Sequence, residues 1–274
     1  VRDRRGAPLC VVCSATAHPS ILTDYLISAD FPGVACRLIE HQLGGRVMAM
    51  FLQGPAGEVK TITNADVAQA RWRKGTYDDV RRAGEMVASA VLQVMEEGLK
   101  TVRPILTSAL SRAQLPTLLT EDPLDFYNRV EFLRSLADEG RQKALEQWRQ
   151  FHMERLRRGE KLSRYVSCPV QLVRFAEGVD ILAVGGELTS GLARVFRQAF
   201  PNHPFVMLGY SNGLLCYLHN EEMIQEGGYE VYYAVFYRRE LPAPLAPGLE
   251  QAFIDTISTL LQAVSENHAS AQAG

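Results

Sequence analysis

What this chain lacks narrows its function more than what it holds in abundance. No run of eighteen or more apolar residues occurs, so the sequence contains no segment able to span a bilayer as a helix. Neither sign of charge dominates: 29 Lys and Arg stand against 31 Asp and Glu, a net charge of -2. Such a balance leaves no electrostatic footprint for nucleic acid or for an anionic membrane surface. No low-complexity tract or internal repeat is present. The Gly-x-Ser-x-Gly elbow of serine hydrolases is missing too, which argues against that chemistry. Cysteines number five, an odd count, and they sit mostly in apolar runs, so we expect reduced core thiols rather than a disulfide framework. Cys10 and Cys13 form a CxxC, but three-residue spacing on a strand sends the side chains to opposite faces, and no second CxxC completes a zinc knuckle. The first residues, Val-Arg-Asp-Arg-Arg, resemble neither a signal peptide nor a translation start, and the chain reads as cut.

With 47% apolar and 22% charged residues, 274 positions suffice for one large domain, and a single domain over 1–274 is expected. Apolar, strand-like runs alternate with helical periodicity. Residues 8 to 17 and 46 to 53 read as strands, 31 to 43 and 77 to 99 as amphipathic helices. Residues 102 to 119 carry Pro104 and Pro116, which suits an edge strand or an extended connection. A long charged helical segment follows from Asp122 to about Gly159, broken near Gly140, with Leu124, Tyr127, Val130, Phe132, Leu133, Leu136, Trp148, Phe151 and Leu156 on its apolar stripe. Residues 165 to 175 and 179 to 184 suggest a hairpin, 189 to 200 a helix, 231 to 237 a strand, and 249 to 264 a last helix before a polar tail. The predicted fold class is α/β: a layered mixed sheet flanked by helices.

Candidate functional residues cluster where strands end. His18 follows a strand and precedes Pro19, which pushes it toward extended geometry; it is either a metal ligand or a capped core histidine. Glu187 follows Gly185-Gly186 and precedes a helix whose dipole favours the ionised carboxylate, so a ligand and an ordinary helix-start glutamate look alike. Asp30 is first an N-cap candidate and second an outer-shell acceptor. The stretch from Phe205 to Tyr229 runs from a buried strand through Gly209 and a Ser-Asn-Gly turn to Tyr217, then through Gly227-Gly228 to Tyr229. His219 shares a face with Tyr217 if that run is extended. The turn Gly54-Pro55-Ala56-Gly57 offers backbone N–H groups to an oxyanion.

Five blocks in one order, Ala-His-Pro-Ser at 17–20, Ser-Ala-Asp-Phe-Pro-Gly at 28–33, the run at 51–59, Gly-Glu-Leu-Thr at 186–189 and the Phe205–Tyr229 stretch, resemble the neutral ceramidase family and its shorter bacterial relatives. The resemblance implies the C-terminal part of a catalytic domain. It implies a zinc ion held by two histidines, a glutamate and a tyrosine, with a metal-activated water cleaving the amide of an N-acyl sphingoid lipid. Matched block to block, His18, Glu187 and Tyr217 are the implied metal ligands and Tyr229 the residue beside the reacting amide; the family's other histidine lies upstream, in a block this sequence does not contain. Where the family has a serine important for activity, this chain has Lys60, followed by Thr61 rather than proline. Lys60 is either a contact for an acidic substrate group or a solvated lysine. Two functions follow: a zinc amidohydrolase acting on a lipid-like N-acyl amide, or a non-catalytic member that keeps the fold for binding or assembly. Relatives of this kind are often secreted.

Overall fold

The computed structural model describes residues 1–129 and 139–273, which group into two units, 1–102 and 103–274. In the first, strand β1 (Cys10–Ala15) leads through helix α1 (Asp30–Gln42) to strand β2 (Met48–Gln53), which pairs with β1 in parallel, Cys10 opposite Met48 and Ala15 opposite Gln53. A short hairpin of β3 (Ala65–Asp66) and β4 (Arg71–Trp72) precedes helix α2 (Tyr77–Glu97). Alternation along the strands turns Cys13 inward, where it packs with Ala35, Ile39 and Ala88 from the two helices. Phe31, Ile21, Val80 and Ala83 form the neighbouring apolar cluster. The helices pack so closely that a Cβ on Gly84 would lie 2.5 Å from Val34 Cβ, which explains glycine in mid-helix.

Helix α2 begins where its sequence says it should. Thr76 Oγ1 accepts from Asp79 N, and the Asp79 carboxylate accepts back from Thr76 N at 2.9 Å, a reciprocal capping box. The same carboxylate, fully buried, receives both terminal nitrogens of Arg73 at 2.6 Å. Asp30 behaves differently from the N-cap expectation. It is the first helical residue, after Ala29, which makes no side-chain cap; its Oδ2 accepts from Ile21 N and Leu22 N at 3.0 and 3.2 Å. The short carboxylate thus stitches the preceding loop to the helix start instead of satisfying N–H groups deeper in the helix.

The second unit is built on a four-stranded sheet of order β5-β6-β7-β9: β5 (Pro104–Pro116), β6 (Tyr165–Ala176), β7 (Val179–Val184) and β9 (Val206–Leu208). As the prolines require, β5 lies at the edge. It is antiparallel to β6, β6 to β7 through a turn at Gly178, while β9 runs parallel to β7. Between them come the short strand β8 (Glu187–Leu188) and helix α5 (Ser190–Ala199), with Thr189 as N-cap; α3 (Pro123–Arg129) and α4 (Glu139–Arg157) precede β6. Strand β10 (Tyr217–Leu218), α6 (Glu221–Glu226) and α7 (Leu249–Ala273) complete the order. Leu172, Leu182, Val184, Phe196, Phe253, Ile257 and Trp148 lie in one continuous apolar core.

This is the mixed α/β architecture expected, with two differences. Residues 231–237 form no strand: Tyr233–Tyr237 is a 3₁₀ helix. Val231 and the run from Tyr233 to Phe236 are buried, and a strand would have sent alternate residues to the opposite face; apolar content alone does not separate the two conformations. The last helix continues through the polar segment to Ala273 rather than stopping at 264. The break placed near Gly140 borders residues 130–138, which lie outside the described residues together with Val130, Phe132, Leu133 and Leu136. All five cysteines are free. Among the described residues no helix is long and apolar enough to cross a membrane.

Candidate functional site

Parallel strands bring their C-terminal ends side by side, and in both units the chemically capable side chains stand just beyond such ends. In the second unit, β7 runs out into Gly185-Gly186-Glu187 and its parallel neighbour β9 into Gly209-Tyr210. Only glycine fits at 186, since a Cβ there would lie 2.7 Å from Cys216 O. Strand β8 then pairs in parallel with β10, setting Glu187 directly opposite Tyr217. The Glu187 carboxylate is buried, yet three groups converge on it. Tyr210 Oη donates to Oε2 at 3.0 Å, Arg238 donates to Oε1 at 3.3 Å, and the Tyr217 phenol hydrogen-bonds it as well.

Burial first, and the neighbouring Glu187 carboxylate second, push the Tyr210 and Tyr217 phenols well above the ordinary tyrosine range. Both phenols are therefore held as O–H groups. Tyr229 packs its ring edge-on against Tyr217, with centroids 5.8 Å apart, and its phenol is raised by burial. Tyr210 adopts φ +54°, the left-handed region a bulky side chain seldom occupies, and it is retained there by Tyr210 N to Gly186 O at 2.8 Å. Strain of this kind gathers where geometry serves a site. His219 is buried with Nδ1 at 3.2 Å from Asn220 O; the structure thus gives it a packing role, and burial lowers its pKa.

In the first unit, His18 follows β1 and is held by the turn that follows β2. Its backbone N donates to Val59 O at 2.9 Å and its Nε2 lies 2.9 Å from Gly57 O. A carbonyl oxygen only accepts, so Nε2 carries the proton and, in the neutral ring, Nδ1 carries the lone pair. Within the glycine-bearing turn itself, Gly54 N donates to Ala15 O and Val59 N to Ala56 O. Lys60 follows at once, its Nζ 5.6 Å from the centre of the Trp72 ring.

No protein-family model matches this chain, and no curated protein does. A solved ceramidase complexed with C2 aligns over 93% of the chain with a TM-score of 0.62 and 16% identity. The fold is ceramidase-like. The chain spans 45% of the length of that ceramidase. At such low identity the likeness speaks for the backbone and leaves the chemistry to the residues.

Within the ceramidase-like fold, the structure brings Glu187, Tyr217 and Tyr229 together in the second unit and places His18 and Lys60 in the first. A carboxylate oxygen and a lone-pair imidazole nitrogen whose other nitrogen is tied to a carbonyl are donors of the kind zinc takes; the Tyr217 phenol would join them only on losing the proton that burial and Glu187 retain. Among the described residues no group of three or more His, Cys, Asp and Glu side chains is placed to hold a metal ion. Two residues escaped the sequence reading. Tyr210 bore the same signal as Glu187, a position directly after a glycine at a strand end. Arg238 bore none, because it follows the segment read as a strand.

Proposed function

We propose that the protein is a ceramidase-like hydrolase that cleaves the amide bond of a lipid-like N-acyl substrate with the help of zinc. The observation that carries this reading is the buried Glu187 carboxylate at the ends of β7 and β9, with two phenols and Arg238 on its oxygens, in a ceramidase-like fold. On this reading the metal ligands are His18, Glu187 and Tyr217, as the family resemblance implies. Zinc, when bound, supplies a nucleophilic water at neutral pH and polarises the amide carbonyl.

The remaining work falls to the chain itself. Tyr210 donates its O–H to Glu187 and holds the carboxylate in one orientation. Tyr229 donates its phenolic hydrogen to the oxygen on which negative charge develops, a contact of this type being worth about 3 kcal/mol in the transition state. Arg238 neutralises Glu187 when no metal is present. That same ion pair favours the second reading, a binding or assembly protein of the same fold, if Arg238 keeps the carboxylate permanently engaged.

The test combines metal analysis with turnover. The protein equilibrated with zinc is expected to hold about one ion per chain, lost in His18→Ala and in Glu187→Ala, and to release fatty acid from a fluorogenic N-acyl sphingosine in a chelator-sensitive way. Unchanged zinc content in both variants would remove the ligand assignment. A zinc-free protein inert toward sphingosine amides and simpler N-acyl amides would favour the binding reading.

A further inference from the structure

In the first unit lies a cavity of about 90 Å³ whose wall includes His18. Its wall carries three cations, Lys60, Arg73 and Lys74, with the Trp72 ring and the hydroxyls of Ser20 and Thr61. Two of the cations are already matched. Arg73 is bidentate on Asp79 at 2.6 Å, and Lys74 Nζ lies 3.2 Å from Asp24 Oδ1. Lys60 is paired with no carboxylate among the described residues; its ammonium is directed over the Trp72 ring, a placement that steers the charge without neutralising it. The cavity therefore keeps one positive charge in reserve, close to the Ser20 hydroxyl; the Thr61 hydroxyl donates to Asn64 Oδ1 at 3.0 Å.

Size admits a small polar group. A cavity needs only about 10–15 Å³ of this kind of volume to hold a water, so this one has room for a carboxylate or phosphate group. Charge narrows the ligand, because a neutral hydroxyl gains little from an ammonium whereas an oxyanion forms a charge-assisted hydrogen bond with it. We infer that this cavity binds the oxyanion of an acidic ligand through Lys60, and that the substrate of the hydrolase, whose proposed ligand His18 shares the cavity wall, therefore bears a carboxylate or phosphate. The second half rests on the proposed function; the first stands on the cavity alone.

Trp72 provides the readout. The sequence has two tryptophans, and the other, Trp148, is buried, whereas Trp72 is 49% exposed at the cavity. Intrinsic fluorescence is titrated with inorganic phosphate and with acetate at constant ionic strength, chloride serving as the reference anion. The wild-type chain is expected to show a saturable change absent with chloride, lost in Trp72→Phe, and shifted to an apparent Kd about tenfold weaker or more in Lys60→Met. Lys60 is exposed, so its variant keeps the fold. The kinetic arm compares an N-acylglycine with the matching N-acylethanolamine: the preference for the acidic amide, read as a ratio of kcat/KM, is expected to fall about tenfold in Lys60→Met.

A wild-type chain that responds to phosphate and acetate as it does to chloride, or a Lys60→Met chain that titrates like wild type, overturns the anion pocket. Saturable anion binding without hydrolysis of either amide leaves the pocket standing and removes the hydrolase. Hydrolysis with the same acid preference in both proteins removes the pocket's role in substrate choice and leaves the hydrolase.

Discussion

His152 on α4 is fully buried, and among the described residues neither of its ring nitrogens finds a hydrogen-bond partner. It lies stacked on Tyr127 with centroids 5.6 Å apart, with the rings of Trp148 and Phe151 edge-on at 5.2 Å. The nearby Leu241 carbonyl is engaged by Trp148 Nε1 at 2.8 Å. Burial, reinforced by the Arg155 guanidinium on the same helix, pushes its pKa down to about 4, while the facing Tyr127 phenol is raised by burial and stays neutral. The unfolded chain binds this proton near pH 6.5. With the folded pKa depressed, the unfolded state holds more protons between about pH 6.5 and 4, so stability falls as the pH falls through that window. Taking the two values, this one group costs about 2 to 3 kcal/mol at pH 4.5 relative to pH 7.5.

The perturbation is His152→Phe, with His152→Leu as a second variant, and the assay is urea unfolding at half-unit steps from pH 7.5 to 4.5. Either replacement shifts absolute stability through packing, an offset common to every pH. The informative quantity is the difference between variant and wild type as a function of pH. It is expected to rise in the variants' favour by about 2 to 3 kcal/mol toward pH 4.5. A flat difference for both variants would show that this imidazole titrates normally and that the burial argument is wrong.

Three further outcomes are expected. Asp79→Asn removes the charge from a fully buried carboxylate that receives Arg73, Arg82 and Thr76, and should cost about 2 to 3 kcal/mol in urea unfolding at pH 7; Asp78→Asn, whose partner Arg81 is exposed, should cost under about 0.5 kcal/mol, and equal costs would refute the distinction. Because its partners hold the Asp79 carboxyl far below the usual range, the contribution is complete above about pH 4 and is lost as the pH falls through the depressed value. Native labelling with a thiol reagent at pH 8 should modify the partly exposed Cys10 well before Cys168, whose thiol burial pushes up to about 12, or Cys216, raised by burial as well; mass spectrometry of the labelled chain reads the order.

Much of the scaffold was legible because its local signals agreed with its tertiary role. Apolar positions at helical spacing from Val80 to Val94 announced α2, the glycine turn at 178 announced the β6–β7 hairpin, and prolines at both ends of β5 suited an edge strand or an extended connection. Strand-end glycines drew attention to Glu187 while leaving a ligand and a helix-start glutamate equally open. Where the reading failed, a local signal had been outvoted. Residues 231–237 are as apolar and aromatic as any strand, but their successive burial suited a tight helix. Asp30 has an N-cap's chemistry and serves another loop. Arg238 was invisible because its partner stands 51 residues earlier in the chain.

The pairing of β8 with β10 consists of two residue pairs, Glu187 with Tyr217 and Leu188 with Leu218. So brief a ladder has little to resist sliding, and a slip of a single position would put a leucine where the carboxylate belongs. The detent is Thr189: its amide and its hydroxyl both engage Leu218 O, at 3.1 and 3.0 Å, while the same hydroxyl caps α5 through Leu192 N. A methyl in place of that oxygen, as in Thr189→Val, would loosen the alignment of acid and phenol from a position that touches neither.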